Sequence, residues 1–181
     1  DRLGLDKEEL EDLLPRLGEA PFDSDRKRMT TIHQLEREAG RWKYDNPSSR
    51  LLPQPTVFLN CPYIAFTKGS VDGLMRISRR VWVDHDTVEP LDADWERQIL
   101  ERNDRLASSG TRVLGVAFRF LPELPAPGTE AQVENDLIFA GLVGMLDPAR
   151  PEAKAAVQTC NLAGIRTVMI TGDHPLMAKH I

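Results

Sequence analysis

Residues 137–146, Leu-Ile-Phe-Ala-Gly-Leu-Val-Gly-Met-Leu, form the longest apolar run in the chain. Ten residues are too few to cross a bilayer as a helix, which takes about 20. With Gly141 and Gly144 inside it, the stretch 137–145 reads as a buried strand. A strand of that kind exists only within a sheet that other elements cover, so the chain must supply further strands and helices. A soluble globular protein is the expectation, and 41% apolar with 28% charged residues is ordinary for one.

The other strands can be read from local pattern. Residues 111–120 place Val113, Gly115 and Ala117 on one face and Leu114, Val116 and Phe118 on the other. Residues 16–22 and 28–34 read as antiparallel partners about a polar turn, 63–69 as a strand running into Gly69, and 81–83 as a short strand. Helices are expected over 6–14, 70–77 and 91–109. Asp6 and Glu9 fit a capping box at the first, which Pro15 ends. Asp92 or Asp94 caps the third, Trp95, Ile99 and Leu106 line its inner face, and Gly110 stops it. Residues 35–55 and 122–129 are loop, with a short strand around 41–44. Strands joined mostly by loops, with helices interspersed, favour the α+β class: an antiparallel sheet flanked by helices.

Beyond Leu146 the texture changes. Asp147-Pro148-Ala149-Arg150-Pro151 is stiff and charged, and Pro151 suits the first position of a helix. Ala153, Ala156, Val157 and Cys160 mark one face of that helix, and Cys160 is expected in the core. Residues 165–170 read as a buried strand leading into Thr171-Gly172-Asp173, with a further helix from Pro175. Helix, strand, polar loop and helix is the rhythm of a parallel α/β sheet, in which ligands bind at the C-terminal ends of strands. Two domains are expected, 1–144 and 145–181. The sequence starts at Asp1 and stops at Ile181 in the first turns of a helix, which suggests a piece of a longer protein.

Charge narrows the function. A formal net charge of −5 and a pI near 5.4 argue against a nucleic-acid partner, which needs a broad basic surface. Cationic residues therefore matter only where they converge. Phe22 is followed by the basic cluster Arg26-Lys27-Arg28, a flat ring beside fixed positive charge. Lys68-Gly69 closes a strand just before a helix, where a glycine admits a ligand to the backbone and helix N–H groups are free. Each feature also has a plainer reading: Phe22 as a core ring at a strand end, and Lys68 as a surface lysine before a turn. Cys61 and Cys160 lie 99 positions apart and the four histidines are scattered, so no complete metal site is expected.

Taken together, these segments resemble the P-type cation-transporting ATPases. Phe22 to Met29, Thr67-Lys68-Gly69, Thr111-Arg112-Val113-Leu114, Leu146-Asp147-Pro148-Ala149-Arg150 and Gly164 to Asp173 are similar to that family's cytoplasmic signatures, and occur in the family's order. The resemblance implies a nucleotide-binding domain over residues 1–144, followed by part of a phosphorylation domain of haloacid-dehalogenase type. It implies that Phe22 stacks on adenine and that Lys27 and Lys68 line the pocket, with Gly69 allowing close approach. Arg112 would reach the polyphosphate and Leu114 would pack near the base or ribose. Thr171, Gly172 and Asp173 would face the transferred phosphoryl group and its magnesium. ATP and Mg2+ are the implied cofactors. The implied partners are the remaining phosphorylation, actuator and transmembrane domains of the parent, with the chain itself a monomer.

The sequence also departs from the pattern. The family's Lys-Gly-Ala-Pro-Glu run is Lys68-Gly69-Ser70-Val71-Asp72 here. The Asp-Lys-Thr-Gly-Thr motif that carries the phosphorylated aspartate is absent, so the chain alone is expected to turn nothing over. The bacterial calcium- or sodium-type pumps are the nearest in texture around Phe22. Two other classes remain open at this stage: a haloacid-dehalogenase-like phosphatase with a large cap, and a non-catalytic interaction module.

Overall fold

The computed structural model describes residues 7–35, 37–38, 41–42, 61–84, 87–108, 110–145, 150–168 and 170. Seven strands make the main sheet: β1 (Arg16–Asp23), β2 (Arg28–Gln34), β5 (Tyr63–Gly69), β6 (Ser78–Trp82), β7 (Val88–Pro90), β8 (Arg112–Leu121) and β9 (Leu137–Met145). A separate ribbon pairs β3 (Arg37–Glu38) with β4 (Arg41–Trp42). The helices are α1 (Lys7–Leu13), α2 (Val71–Ile77), α3 (Ala93–Ser108) and α4 (Pro151–Leu162). The sheet order is β1-β2-β5-β8-β9-β6-β7.

The α+β expectation holds, but the sheet is mixed rather than antiparallel. β6 lies parallel to β9, while the other neighbouring strands are antiparallel. The cause is α2. It leaves the end of β5, packs across β8 and β9, and delivers the chain beyond β9, where β6 runs in the direction of β5. β5 and β9 share that direction because each is antiparallel to β8. β7 and the 3-10 turn Glu130–Val133 carry no periodic pattern and fall in stretches that the sequence reading leaves unassigned.

The two sheet faces are buried differently. On one, Val71 and Leu74 of α2 and Ile99 of α3 close over Ala117, Leu137 and Phe139. The same face continues as Ile32, Ala65, Leu121 and Val133, under the 3-10 turn. On the other, Leu35, Ile64, Phe118, Phe120 and Ile138 form a second cluster toward one end only. Each fully buried Phe or Leu of this kind contributes about 1.5–3 kcal/mol relative to exposure. α3 starts as expected: the Asp92 carboxylate accepts from the Asp94 and Trp95 N–H groups at 3.1 and 3.0 Å.

The strand β9 carries one extra residue against β8, between the pairs Val116–Gly141 and Ala117–Phe139. Gly141 takes φ +151° there, a conformation that side chains disfavour, although no atom lies within 4 Å of where a Cβ would stand. Gly141→Ala is expected to cost about 1–2 kcal/mol through backbone strain alone. A denaturant midpoint unchanged from wild type would show that the bulge relaxes freely.

The tail differs from expectation. α4 forms over residues 151–162, but none of its residues is buried, and Cys160 is half-exposed rather than core. Residues 165–168 and 170 form no strand, and Ile170 is 94% exposed. A parallel strand exists only with partners, and none of the described residues pairs with this segment. Thr171, Gly172 and Asp173 lie outside the described residues, as do Asp6 and the 43–60 part of the expected loop.

Candidate functional site

The register assembles the site on the less-covered sheet face. Directly opposed residues of antiparallel strands point to the same side. Met29 of β2 faces Lys68 of β5, Lys68 faces Val116 of β8, and Val116 faces Gly141 of β9. That row lies one step beyond Phe66–Phe118–Ile138, the edge of the second core cluster. Further along β8, Leu114 opposes Val143 and Arg112 opposes Met145. Lys68, Leu114 and Arg112 therefore share one face and one end of the sheet.

Phe22 lies at the same end of the sheet, in an irregularity of β1. Ala20 pairs with Thr30 and Asp23 with Arg28, so β1 holds one more residue than β2 between those pairs. Phe22 lies within that irregularity, on the strand next to Met29 and at the same end of the sheet as Lys68. Its ring is 66% exposed, which removes the reading of Phe22 as a core side chain. Around it the strand ends leave Val143 and Met145 exposed and Leu114 and Met29 half-buried. The result is an apolar floor about four strands wide, with neighbouring strands about 4.8 Å apart. Phe22 stands at the β1 edge of this floor, Lys68 on β5 within it and Arg112 on β8 beyond.

Lys27 sits at the rim, in the turn joining β1 to β2. The Asp23 carboxylate accepts from the Asp25 and Arg26 N–H groups at 3.0 and 2.8 Å, and the Asp23 carbonyl accepts from Lys27 N–H at 2.7 Å. This wrapping holds Lys27 at φ +52° with its side chain exposed. The Arg26 N–H contact, opposed by desolvation, leaves the Asp23 carboxyl below its ordinary pKa. The Lys27 carbonyl then accepts from Ser70 N–H at 3.0 Å, so hairpin and β5 terminus are one unit.

Gly69 ends β5 on the other face. A Cβ there would stand 2.5 Å from Arg28 Cβ and 2.6 Å from the Lys27 carbonyl oxygen. The close approach that this glycine permits is to its own chain.

Beneath the hairpin lies a polar cluster that sequence pattern does not announce. The Glu134 side chain is 1% exposed and follows the 3-10 turn. Its Oε2 accepts from Arg26 Nη1 at 2.5 Å and Arg28 Nε at 2.7 Å. Its Oε1 accepts from the Thr30 hydroxyl at 2.9 Å, which lies 2.9 Å from that of Thr67. Burial alone would push the Glu134 carboxyl up, but these partners outweigh it and hold the pKa below its ordinary value. A single Glu before an apolar strand, 106 residues from Arg28, gives no pattern to find. Val143 and Met145 were hidden for a different reason, since they sit in a run that reads as buried throughout.

Among the described residues, no group of three His, Cys, Asp or Glu could hold a metal ion. A shallow groove bounded by Arg119, Leu121, Leu124, Thr129 and Val133 lies at the other end of β8 and on the helix-bearing face, apart from this site. What the site can do follows from its parts. It offers a flat apolar surface to a planar group and charge-assisted hydrogen bonds to an anion at a fixed distance from it.

A model of the family described as P-type ATPase, cytoplasmic domain N, matches residues 1–152. The chain is similar to the Calcium-transporting ATPase 1 of Bacillus cereus, 36% identical over 171 residues that make up 94% of this chain and 16% of that protein. It is 36% identical over 179 residues to the Calcium-transporting ATPase of Bacillus subtilis, 98% of this chain and 17% of that one. It is also 30% identical over 173 residues to the Sodium/potassium-transporting ATPase subunit alpha-4 of Rattus norvegicus, 92% of this chain and 15% of the relative. The chain thus spans about a sixth of the length of these relatives. Among the described residues no helix is long and apolar enough to cross a membrane.

Proposed function

This chain belongs to the P-type ATPase cytoplasmic N-domain family, and from that premise we propose that it binds ATP on behalf of a cation-transporting parent. The observation that carries the reading is the exposed Phe22 ring at the end of the sheet whose less-covered face bears Lys68, Leu114 and Arg112. Adenine stacks on Phe22 over the apolar floor of Leu114, and Lys27, Lys68 and Arg112 meet the phosphates. Gly69 keeps the hairpin against the end of β5 and so keeps Lys27 near Lys68. Mg2+ would arrive with the nucleotide.

Residues 1–144 are then the nucleotide-binding domain, and 145–181 the start of the returning phosphorylation domain, with Thr171, Gly172 and Asp173 facing the phosphoryl group. Phosphoryl transfer is mainly positioning and charge stabilisation, so a bound ATP needs delivery to an acceptor aspartate by domain closure. That aspartate belongs to the rest of the parent. The chain alone binds and does not turn over. Two of the relatives above are named for calcium and the third for sodium and potassium.

Titration of the chain with ATP, followed by backbone chemical shifts, tests this. Shifts are expected around Phe22, Lys68 and Arg112. Phe22→Ala is expected to raise the ATP dissociation constant about 5- to 100-fold, the range that a lost base–aromatic stack gives. Saturating ATP without perturbing these residues would remove the site. Steady phosphate release by the pure chain would remove the claim that it is inactive alone.

A further inference from the structure

We propose that Arg26 and Glu134 act together as a positioning clamp that sets the Phe22 ring, so that base recognition depends on two side chains that do not touch the base. The proposal deepens the nucleotide reading above and rests on it. The guanidinium of Arg26 bridges two anchors: Nη1 donates to Glu134 Oε2 at 2.5 Å, and Nη2 donates to the Pro21 carbonyl at 2.8 Å. That carbonyl belongs to the peptide that leads into Phe22. One rigid planar group therefore ties the backbone of the ring to a buried carboxylate.

The ring has few other restraints. Its exposure means that packing does not hold it. Its strand, β1, is at the sheet edge with β2 as its one neighbour, and the pairing is irregular between Ala20 and Asp23. A bulge on an edge strand has freedom to re-aim its side chains. The far anchor is firm by contrast, because Arg28 and Thr30 hold Glu134 from β2, and Arg28 Nη1 also donates to the Arg26 carbonyl at 3.2 Å. Lys68 and Arg112 are carried by β5 and β8, and Lys27 is held by the Asp23 turn and by Ser70 N–H on its carbonyl, so none of the three cations depends on the Arg26–Pro21 link.

The consequence is a split between base and phosphate binding. Arg26→Lys keeps a cation for Glu134 but cannot also reach the Pro21 carbonyl in the same fork geometry. Calorimetric titration of the 181-residue chain with ATP and with inorganic tripolyphosphate reads the split. For Arg26→Lys and Glu134→Gln, the ATP dissociation constant is expected to rise about fivefold, the low end of a base–aromatic stack. Tripolyphosphate affinity is expected to be unchanged. A merely structural role would lower the melting temperature and leave the ratio of the two affinities as in wild type, and that result overturns the clamp. Should Glu134→Gln fail to fold, Arg26→Lys alone decides. A wild-type chain with no preference for ATP over tripolyphosphate overturns the nucleotide reading itself, and the clamp with it. A wild-type preference that both variants keep overturns the clamp alone.

Discussion

Glu134→Ala is expected to destabilise the fold by about 3 kcal/mol, toward the low end of what breaking a buried ion pair costs. The carboxylate serves two guanidiniums and a buried hydroxyl, and alanine removes that shared acceptor, leaving Arg26 the Pro21 carbonyl, Arg28 the Arg26 carbonyl and Thr30 the Thr67 hydroxyl. Arg26 and Arg28 keep 27% and 18% of their side-chain surface exposed, so water recovers part of the loss. For a domain of this size that means a melting temperature lower by about 10 °C. The pH dependence has a fixed sign. Because the folded-state pKa of Glu134 is lowered, its contribution is fully present above the unfolded carboxyl value of 4.5 and disappears as pH falls through the folded value. Unfolding measured from pH 7 to pH 3 should show wild type and Glu134→Ala converging below pH 4.5. Parallel curves across that range would mean that folding does not shift the Glu134 pKa, so that its partners do not favour the charged form.

Gly69→Ala is expected to cost about as much, by a different route. The added methyl group would stand 2.5 Å from Arg28 Cβ, 2.6 Å from the Lys27 oxygen and 2.9 Å from Arg28 Cα. None of these is the loose end of a flexible side chain, so the last pair of the β2–β5 ladder must part. Overpacking of this severity costs about 3 kcal/mol. Parting also separates the Lys27 carbonyl from Ser70 N–H, which frees the hairpin that carries Phe22 and Lys27. Gly18→Ala is the control. Its Cβ would meet Glu130 Cγ at 3.6 Å and Ile32 Cδ1 at 3.7 Å, ordinary contacts. Equal chemical-denaturation midpoints for the two variants would show that the clash at Gly69 is not what sets the effect.

Local elements were legible because their signals are local. The hairpin strands β1 and β2 match the readings 16–22 and 28–34 within a residue, and α3 and β9 fall where pattern places them. The turn between the hairpin strands was visible in Ser24-Asp25, although not the left-handed Lys27 that shapes it. β6 was found short and late, because Ser78-Arg79-Arg80 looks polar although Ser78 is buried. The parallel pairing of β6 with β9 was illegible, since it depends on where α2 sets the chain down. The strand expected over 165–170 shows the limit of hydrophobic pattern, which registers a wish for burial and not the presence of partners.

The sequence by itself determined which residues could bind: one ring, a few cations and a glycine, in an order that resembles a single family. Periodicity also determined most of the strands and helices. Only the tertiary structure decided that Phe22 is exposed, that Lys68, Leu114 and Arg112 share one face and one end of the sheet, and that Glu134 meets Arg26 and Arg28. The physical reason is range. Propensity and turn chemistry act over a few residues, whereas register and buried charge pairing join positions up to 108 residues apart, and only the folded sheet brings those into contact.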